Sequence, residues 1–366
     1  MSTATTPSAV APQTTHGGVA ILGCGTIAHS AHLPAYQKHG IGVTGVWSRS
    51  PGTTANTRDE FPSVGKVYGS PEELLADEEV RFVDIATGPE GRLRWIEAAI
   101  DAGKHVLAQK PLVSDPADLE RLPAVLDRAE AAGLRVAVNH NARWAPPFRE
   151  ATLLLRQGAI GDVVGVTHLH DKALPPLVGT AFDDIEHMLV TDYLLHWLDI
   201  SRTWLSTGQA TTRPAREMTV VALESRVPGQ PDAARNPWSA TITLVDRSTG
   251  ATAGIRIAGN ATATEPGCPF WIHGTRGTLR GSVLLDSDRL TMDDGTTVRT
   301  VPLSGAWFVD GFAATMAELM SAVDEDRQPE NSARDALESV RLMLAAAESA
   351  AAGGAPVLVR LTGEAA

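Results

Sequence analysis

The sequence predicts an α/β domain followed by an α+β domain: a doubly wound parallel sheet first, then a large, mostly antiparallel open sheet flanked by helices. Three observations carry this. From residue 18 to about 140, short apolar strands alternate with helical stretches at the spacing of right-handed crossovers. The first strand runs straight into a glycine turn. Beyond about residue 150 the strands are separated by turns rich in Gly, Pro and Asn, an antiparallel signature.

Each element follows in order. Residues 1–17 are rich in Ser, Thr, Ala and Pro and lack an apolar h-region and a twin arginine, so they read as a disordered lead-in and not as a signal peptide. "GVAILGCG", "IGVTGVWS", "FVDIAT", "KHVLAQ" and "LRVAVNH" are five strands. "PEELLAD" and "LRWIEAAIDAG" are helices between them, the second ended by Gly103. At "NARWAPPF" two prolines interrupt the pattern, which divides the chain into domains 18–142 and 143–366. "ATLLLRQGAIG" and "VTDYLLHWLDISRTWL" have helical spacing, and "DVVGVTHLHD" alternates as a strand does. "EMTVVALESRV", "WSATITLVD", "ATAGIRIAG", "CPFWIHGTRGTLRGS", "RLTMDD" and "TTVRTVPL" are further strands. "WFVDGFAATMAELMSAV" and "ARDALESVRLMLAAAESAA" are closing helices, and no internal repeat is evident.

Composition removes several function classes. The net charge of −12 argues against nucleic acid or an anionic membrane as the main partner. An anionic cofactor is still allowed, because local backbone amides outweigh global charge. Cys24 and Cys268 are the only cysteines, too few for a disulfide framework or a CxxC metal site, and a reducing cytoplasm is the simplest setting. No apolar run is long enough to span a bilayer.

The glycine turn carries the first chemistry. Gly23-x-Gly25-x-x-Ala28 follows a strand and opens a helix, the context a dinucleotide site requires in a Rossmann sheet, and Thr26 and Ile27 within it are further candidate cofactor contacts. Gly23 permits the tight turn, Gly25 lets a pyrophosphate approach the backbone, and Ala28 is small enough for close helix–strand packing. An NAD site usually shows an acid at the end of the second strand. "VWSRSPG" offers Ser48 and Arg49 instead, which suit a 2′-phosphate, so NADP(H) is favoured and NAD(H) is the alternative. A solvated turn arginine is the competing reading.

Two further stretches need explanation. In "GKHVLAQKPLV", Lys110 ends a core strand and Pro111 fixes its backbone. That is a costly place for a lysine unless it serves a ligand, and doubly wound sheets bind ligands at the carboxyl ends of their strands. The tight turn predicts a cis Lys110–Pro111 bond. In "VTDYLLHWLDI", Asp192 and His196 are i and i+4 and share one helix face. Each feature alone has an ordinary explanation: a snorkelling lysine, a surface pair, a core histidine.

Together they resemble the glucose–fructose oxidoreductase / inositol dehydrogenase (Gfo/Idh/MocA) family. "GKHVLAQKPL" is similar to its "GKHVLCEKPL" hallmark, "DIATGPEGRLRWIEAAIDAG" to its "ATP" turn and helix, and "TDYLLHWLDI" to its D-x-x-x-H-x-x-D helix. "FREATLLLRQGAIGDVVGV", "HGTRGTLRG" and "ARDALESVRLMLAAAESA" extend the likeness to nearly the whole chain after residue 17. The resemblance implies a cytoplasmic NAD(P)-dependent sugar or cyclitol oxidoreductase, with Lys110, Asp192 and His196 as its catalytic residues. It adds Thr87, Gln109 and Lys110 to the cofactor contacts. The chemistry agrees: a histidine suits proton transfer to and from an alcohol, an acid one turn away orients it, and a lysine stabilises charge on the reacting oxygen. Asn139, Arg143, Trp144 and His170 join these three as substrate-pocket candidates, while "NHNARW" also reads as a packing hinge. His168, His170, Glu186 and His187 lack a diagnostic metal spacing, so no metal is expected. Three departures stand out: Gln109 for the usual Glu, Gly88 for a proline, and Arg92 where a histidine is common.

The exposed face of the second sheet predicts self-association through it, and the resemblance implies a homodimer or homotetramer. Two other function classes compete: a glycoside-cleaving enzyme using tightly bound NAD for transient C3 oxidation, and a non-catalytic cofactor-sensing regulator.

Overall fold

The computed structural model describes residues 18–207, 216–261, 267–284 and 286–362, so the lead-in expected at 1–17 lies outside the described residues. The chain forms two compact units. One runs to Ala145 and resumes over Ser304–Leu337; the other takes Pro146–Leu303 and continues from Glu338.

The first unit holds a parallel sheet of β1 (Val19–Leu22), β2 (Val43–Trp47), β3 (Lys66–Val67), β4 (Phe82–Ile85), β5 (His105–Gln109) and β6 (Val136–Asn139). Their order is β3-β2-β1-β4-β5-β6, so the chain reverses direction across the sheet between β1 and β4. Every residue of β1, β4 and β6 is buried, as strands covered on both faces require. The sequence reading has five strands here; β3 was missed because its two residues are both exposed and carry no pattern.

The helices are α1 (Leu33–His39), α2 (Pro51–Glu60), α3 (Pro71–Ala76), α4 (Arg92–Asp101) and α5 (Pro116–Ala131). Three begin with one device, a capping side chain followed by proline. Ser50, Ser70 and Asp115 accept the N–H of Thr53, Glu73 and Ala117, and the proline lacks an N–H where none is needed.

The expected domain limits, 18–142 and 143–366, need correction. The break falls at Ala145/Pro146, and residues 304–337 return to the first unit. The reason is packing: Phe312, Met316, Leu319 and Met320 share one core with Val19, Ile21, Tyr36 and Leu107. The helix expected over 307–323 also starts later, because Val309 has φ +82°. Its regular part is Phe312–Asp324.

The second unit begins with α6 (Pro146–Arg156), whose two prolines start the helix. Its nine-stranded sheet contains β7 (Val163–His170), β8 (Arg216–Ser225), β9 (Ser239–Asp246), β10 (Thr252–Ala258), β11 (Cys268–Gly274), β12 (Thr278–Val283), β13 (Arg289–Asp293), β14 (Val298–Thr300) and β15 (Val357–Leu361). The order is β14-β13-β12-β11-β7-β10-β9-β8-β15; among the described residues only β7 and β10 pair in parallel. The terminal strand β15 was not anticipated from sequence. α7 (Leu195–Ser206), α8 (Phe312–Asp324) in the first unit and α9 (Ala333–Ala351) complete the helices, α9 starting in the first unit and ending in the second. Inward residues of β8 alternate with outward Thr219, Val221 and Leu223, and Leu358 of β15 lies beside Thr219 on that open face.

Candidate active site

The carboxyl ends of β1, β2, β4 and β5 lie along one edge of the parallel sheet, and the sequence-selected residues of the first unit lie on them. Gly23 has φ +107°, and a Cβ there would stand 3.0 Å from the Thr87 nitrogen. Its N–H donates to the Trp47 carbonyl at 2.8 Å, which ties the turn to the end of β2. Gly25 is exposed, with nothing within 4 Å of an added Cβ, so its surface is open to a bulky ligand. Thr26 and Ile27 begin the helix, and Ala28 is fully buried. The helix is not a plain α-helix at first: residues Ala28–His32 form a wider π-type turn before α1.

Ser48 is half-buried and Arg49 exposed, directly ahead of the Ser50 cap. Thr87 lies two residues past β4, its hydroxyl buried and, among the described residues, without a partner. An open glycine, a strained glycine turn and an orphaned hydroxyl at the reversal point of a doubly wound sheet fit a dinucleotide.

Lys110 is half-buried, just past β5, and the Lys110–Pro111 bond is cis. Its main chain is held on both sides. Buried Arg92 of α4 donates to the carbonyl of Gln109 at 2.6 Å and to those of Pro111 and Thr87. The Gln109 side-chain oxygen accepts the Lys110 N–H at 2.7 Å. Arg92, set apart in the sequence only as a departure, is thus the staple between the loops after β4 and β5. Gln109 does not face outward as a cofactor contact would. Its side chain is buried, with Nε2 3.3 Å from Nε2 of His32.

The "NHNARW" residues are also committed inside this unit. Asn139 is buried, its Nδ2 3.3 Å from His32 and its Oδ1 within reach of Thr315 and Asn141. Arg143 donates to the Glu330 carbonyl at 2.7 Å and pairs with Asp335, and Trp144 is buried.

In the second unit, Asp192 and His196 do not share one continuous α-helix. Leu189–Tyr193 is a π-type turn, Leu194 breaks the path with ψ 2°, and α7 starts at Leu195. The spacing i,i+4 is the same in either geometry, so the sequence could not separate them. Both side chains are half-buried. In the same stretch, Nε2 of buried His170 lies 3.1 Å from the Tyr193 hydroxyl, and Tyr193 stacks on Trp197 at 6.2 Å. Burial, helped by the charge of Lys172, lowers His170 to about 4, so its ring stays neutral. Burial also raises the Tyr193 phenol, which keeps its proton. Tyr193 was missed, although it sits between Asp192 and His196; a residue inside a recognised motif was the available signal.

His168 is core, its ring on Trp204. His187 pairs with Glu224 at 2.6 Å. No group of three or more His, Cys, Asp or Glu that could hold a metal is present among the described residues. The structure therefore offers a dinucleotide edge with a framed lysine in one unit, and a half-buried carboxylate and imidazole four residues apart, beside Tyr193 and its partner His170, in the other.

Residues 18–140 match the family described as an oxidoreductase family with an NAD-binding Rossmann fold, and residues 153–359 match its C-terminal alpha/beta domain. A D-apiose dehydrogenase of Rhizobium rhizogenes is 26% identical over 345 residues, 91% of this chain and 95% of that protein. A 1,5-anhydro-D-fructose reductase of Ensifer adhaerens is 27% identical over 341 residues, 92% and 96% of the two chains. Among solved structures, an oxidoreductase from Agrobacterium radiobacter in complex with NAD+, L-tartaric acid and magnesium aligns with a TM-score of 0.79 at 24% identity. That alignment covers 94% of this chain and 98% of the other, and it is a likeness of fold.

Proposed function

Because the chain belongs to the Gfo/Idh/MocA oxidoreductase family, we propose that it transfers a hydride between a nicotinamide cofactor and a secondary alcohol or ketone of a sugar or cyclitol. The observation that carries the reading is Lys110, framed on the same sheet edge as the Gly23–Gly25 turn. Gly23, Gly25, Thr26, Ile27 and Thr87 would hold the dinucleotide, which supplies the hydride acceptor or donor when bound. Lys110 donates a hydrogen bond to the reacting oxygen and stabilises negative charge there. His196 takes the hydroxyl proton in oxidation and returns it in reduction, and Asp192 orients the imidazole. Ser48 and Arg49 favour NADP(H) over NAD(H), since a guanidinium beside a hydroxyl suits a 2′-phosphate. The sugar names of the two relatives support the substrate class. The open face of the nine-stranded sheet, with exposed Leu223 and Leu358, supports a homodimer or homotetramer. Two buried free thiols support a cytoplasmic setting.

The test is a panel of aldoses, ketoses and cyclitols with both cofactors, followed at the nicotinamide absorbance. Lys110→Ala and His196→Ala are expected to lose about 10²–10⁴-fold in turnover while binding cofactor normally. Asp192→Asn should lose less. Arg49→Ala should weaken NADP(H) binding and leave NAD(H) unchanged. Unchanged turnover in Lys110→Ala would end the reading.

A further inference from the structure

Asp84 puts a carboxylate in the middle of core strand β4, fully buried. Such a group is tolerated only when donors face it. Two do: the Tyr36 hydroxyl at 2.6 Å, and Nδ1 of His32, also at 2.6 Å. Burial and the neighbouring carboxylate raise the Tyr36 phenol far above its ordinary value, so it stays a donor.

The position of the His32 proton follows from two groups that can only donate. The first is the Lys110 backbone N–H. The Gln109 atom facing it must be oxygen, so the Gln109 amide nitrogen faces His32 Nε2 at 3.3 Å. The second is the indole N–H of Trp307, which donates to Asn141 Oδ1 at 2.6 Å. Asn141 Nδ2 then faces Asn139 Oδ1 at 3.3 Å, and Asn139 Nδ2 faces His32 Nε2 at 3.3 Å. Both chains end on the same ring nitrogen with an N–H pointing at it. His32 Nε2 therefore carries the lone pair, shared by two donors at equal distance, and the proton sits on Nδ1 facing Asp84.

From this juxtaposition we infer that Gln109 is a positioning residue: its amide fixes the main chain of Lys110 to the buried Asp84–His32 pair and does not contact the cofactor. Arg92 holds the carbonyls on either side, so the lysine's path is set by side chains that never reach the reacting atoms. A glutamate at 109, the residue usual in this family, would still accept the Lys110 N–H. Its second oxygen would face the His32 lone pair, and His32 would need a second proton. The inference rests on the reading of Lys110 for its functional half only.

The experiment uses the full-length protein labelled with ¹⁵N-histidine. In the wild type, the His32 ring, assigned by its loss in His32→Gln, is expected to show protonated Nδ1 and unprotonated Nε2 at neutral pH. Gln109→Glu should show both nitrogens protonated. With the sugar that the wild type turns over best in the panel, Gln109→Leu should lose about tenfold to a hundredfold in kcat through misplacement of Lys110. NADH and NADPH affinity should stay within about twofold. Gln109→Glu should recover most of that kcat, since it keeps the acceptor for the Lys110 N–H. A protonated Nε2 in the wild type overturns the inference. So does a Gln109→Leu protein that keeps its kcat but binds either cofactor much more weakly. If Gln109→Leu does not fold, the wild-type spectrum and the Gln109→Glu turnover still decide. Should Lys110→Ala prove fully active, the function reading fails while the His32 spectrum tests the network by itself.

Discussion

His168 shows what a single buried side chain does to the molecule's acid limit. Both of its ring nitrogens are buried and, among the described residues, lack hydrogen-bond partners. Its ring stacks on Trp204 at 5.5 Å and meets Phe148 edge-on at 5.8 Å. Burial lowers its pKa to about 3. His105 falls to about 4 through burial, with the charges of Arg81 and Arg135 adding to it, and His170 also lies near 4. The unfolded chain titrates these rings at about 6.5. Below that pH it binds protons that the folded chain refuses, so stability is full above about pH 6.5 and falls as the pH drops toward 4. His168→Phe is expected to flatten this fall in Tm, followed by calorimetry between pH 7 and 4. An unaltered slope would clear His168 as a cause. The alternation of "THLHD" already put His168 and His170 on one strand face. Which neighbours that face meets depends on Phe148, Trp204 and Phe270, brought there by tertiary packing that no local pattern encodes. Gln109 was hidden in the same way: its partner His32 is 77 positions away.

The glycine turn separates two roles that a motif string merges. Gly23 needs its positive φ and has the Thr87 nitrogen 3.0 Å from where a Cβ would be, whereas Gly25 has open space. Gly23→Ala is expected to lower stability by about 1–3 kcal/mol and to abolish cofactor binding. Gly25→Ala should leave Tm within about 2 °C but weaken NADH and NADPH, because the added methyl occupies the pyrophosphate's approach. Thermal melts with fluorescence titration of both variants check this; a Gly25→Ala protein that binds normally would move the pyrophosphate elsewhere. Most strands and six of the helices were legible because their cues are local, apolar runs and helical spacing, whereas α1, α2 and α5 were not named from the sequence. The π-type turns at Ala28–His32 and Leu189–Tyr193 were not, since a helix widened by one residue keeps the same apolar texture. Strand β3 was missed for want of length; β15 has five residues after the Gly353–Pro356 turn and was overlooked despite that cue.

Taken whole, the chain does not build one unit and then the other. The core of the first is completed by α8, whose Phe312, Met316 and Met320 arrive after eight of the nine strands of the second sheet. A fragment ending at Ala145 would expose that core, and it is expected to show no cooperative melt by circular dichroism, whereas the full chain does. A sharp transition in the fragment would show that α8 is dispensable. The family and both sheets were readable from motif order, but this return was not, because an amphipathic helix near the end of a chain does not state which sheet it will cover. The return also bears on how such a protein can be recombined. The second unit is itself split, into Pro146–Leu303 and the stretch from Glu338, so a gene exchange that replaces it whole must cut at three junctions, after Ala145, Leu303 and Leu337, and preserve each. A single crossover would pair the first sheet with the other parent's α8, leaving a hybrid whose last wall was not shaped for the core it closes.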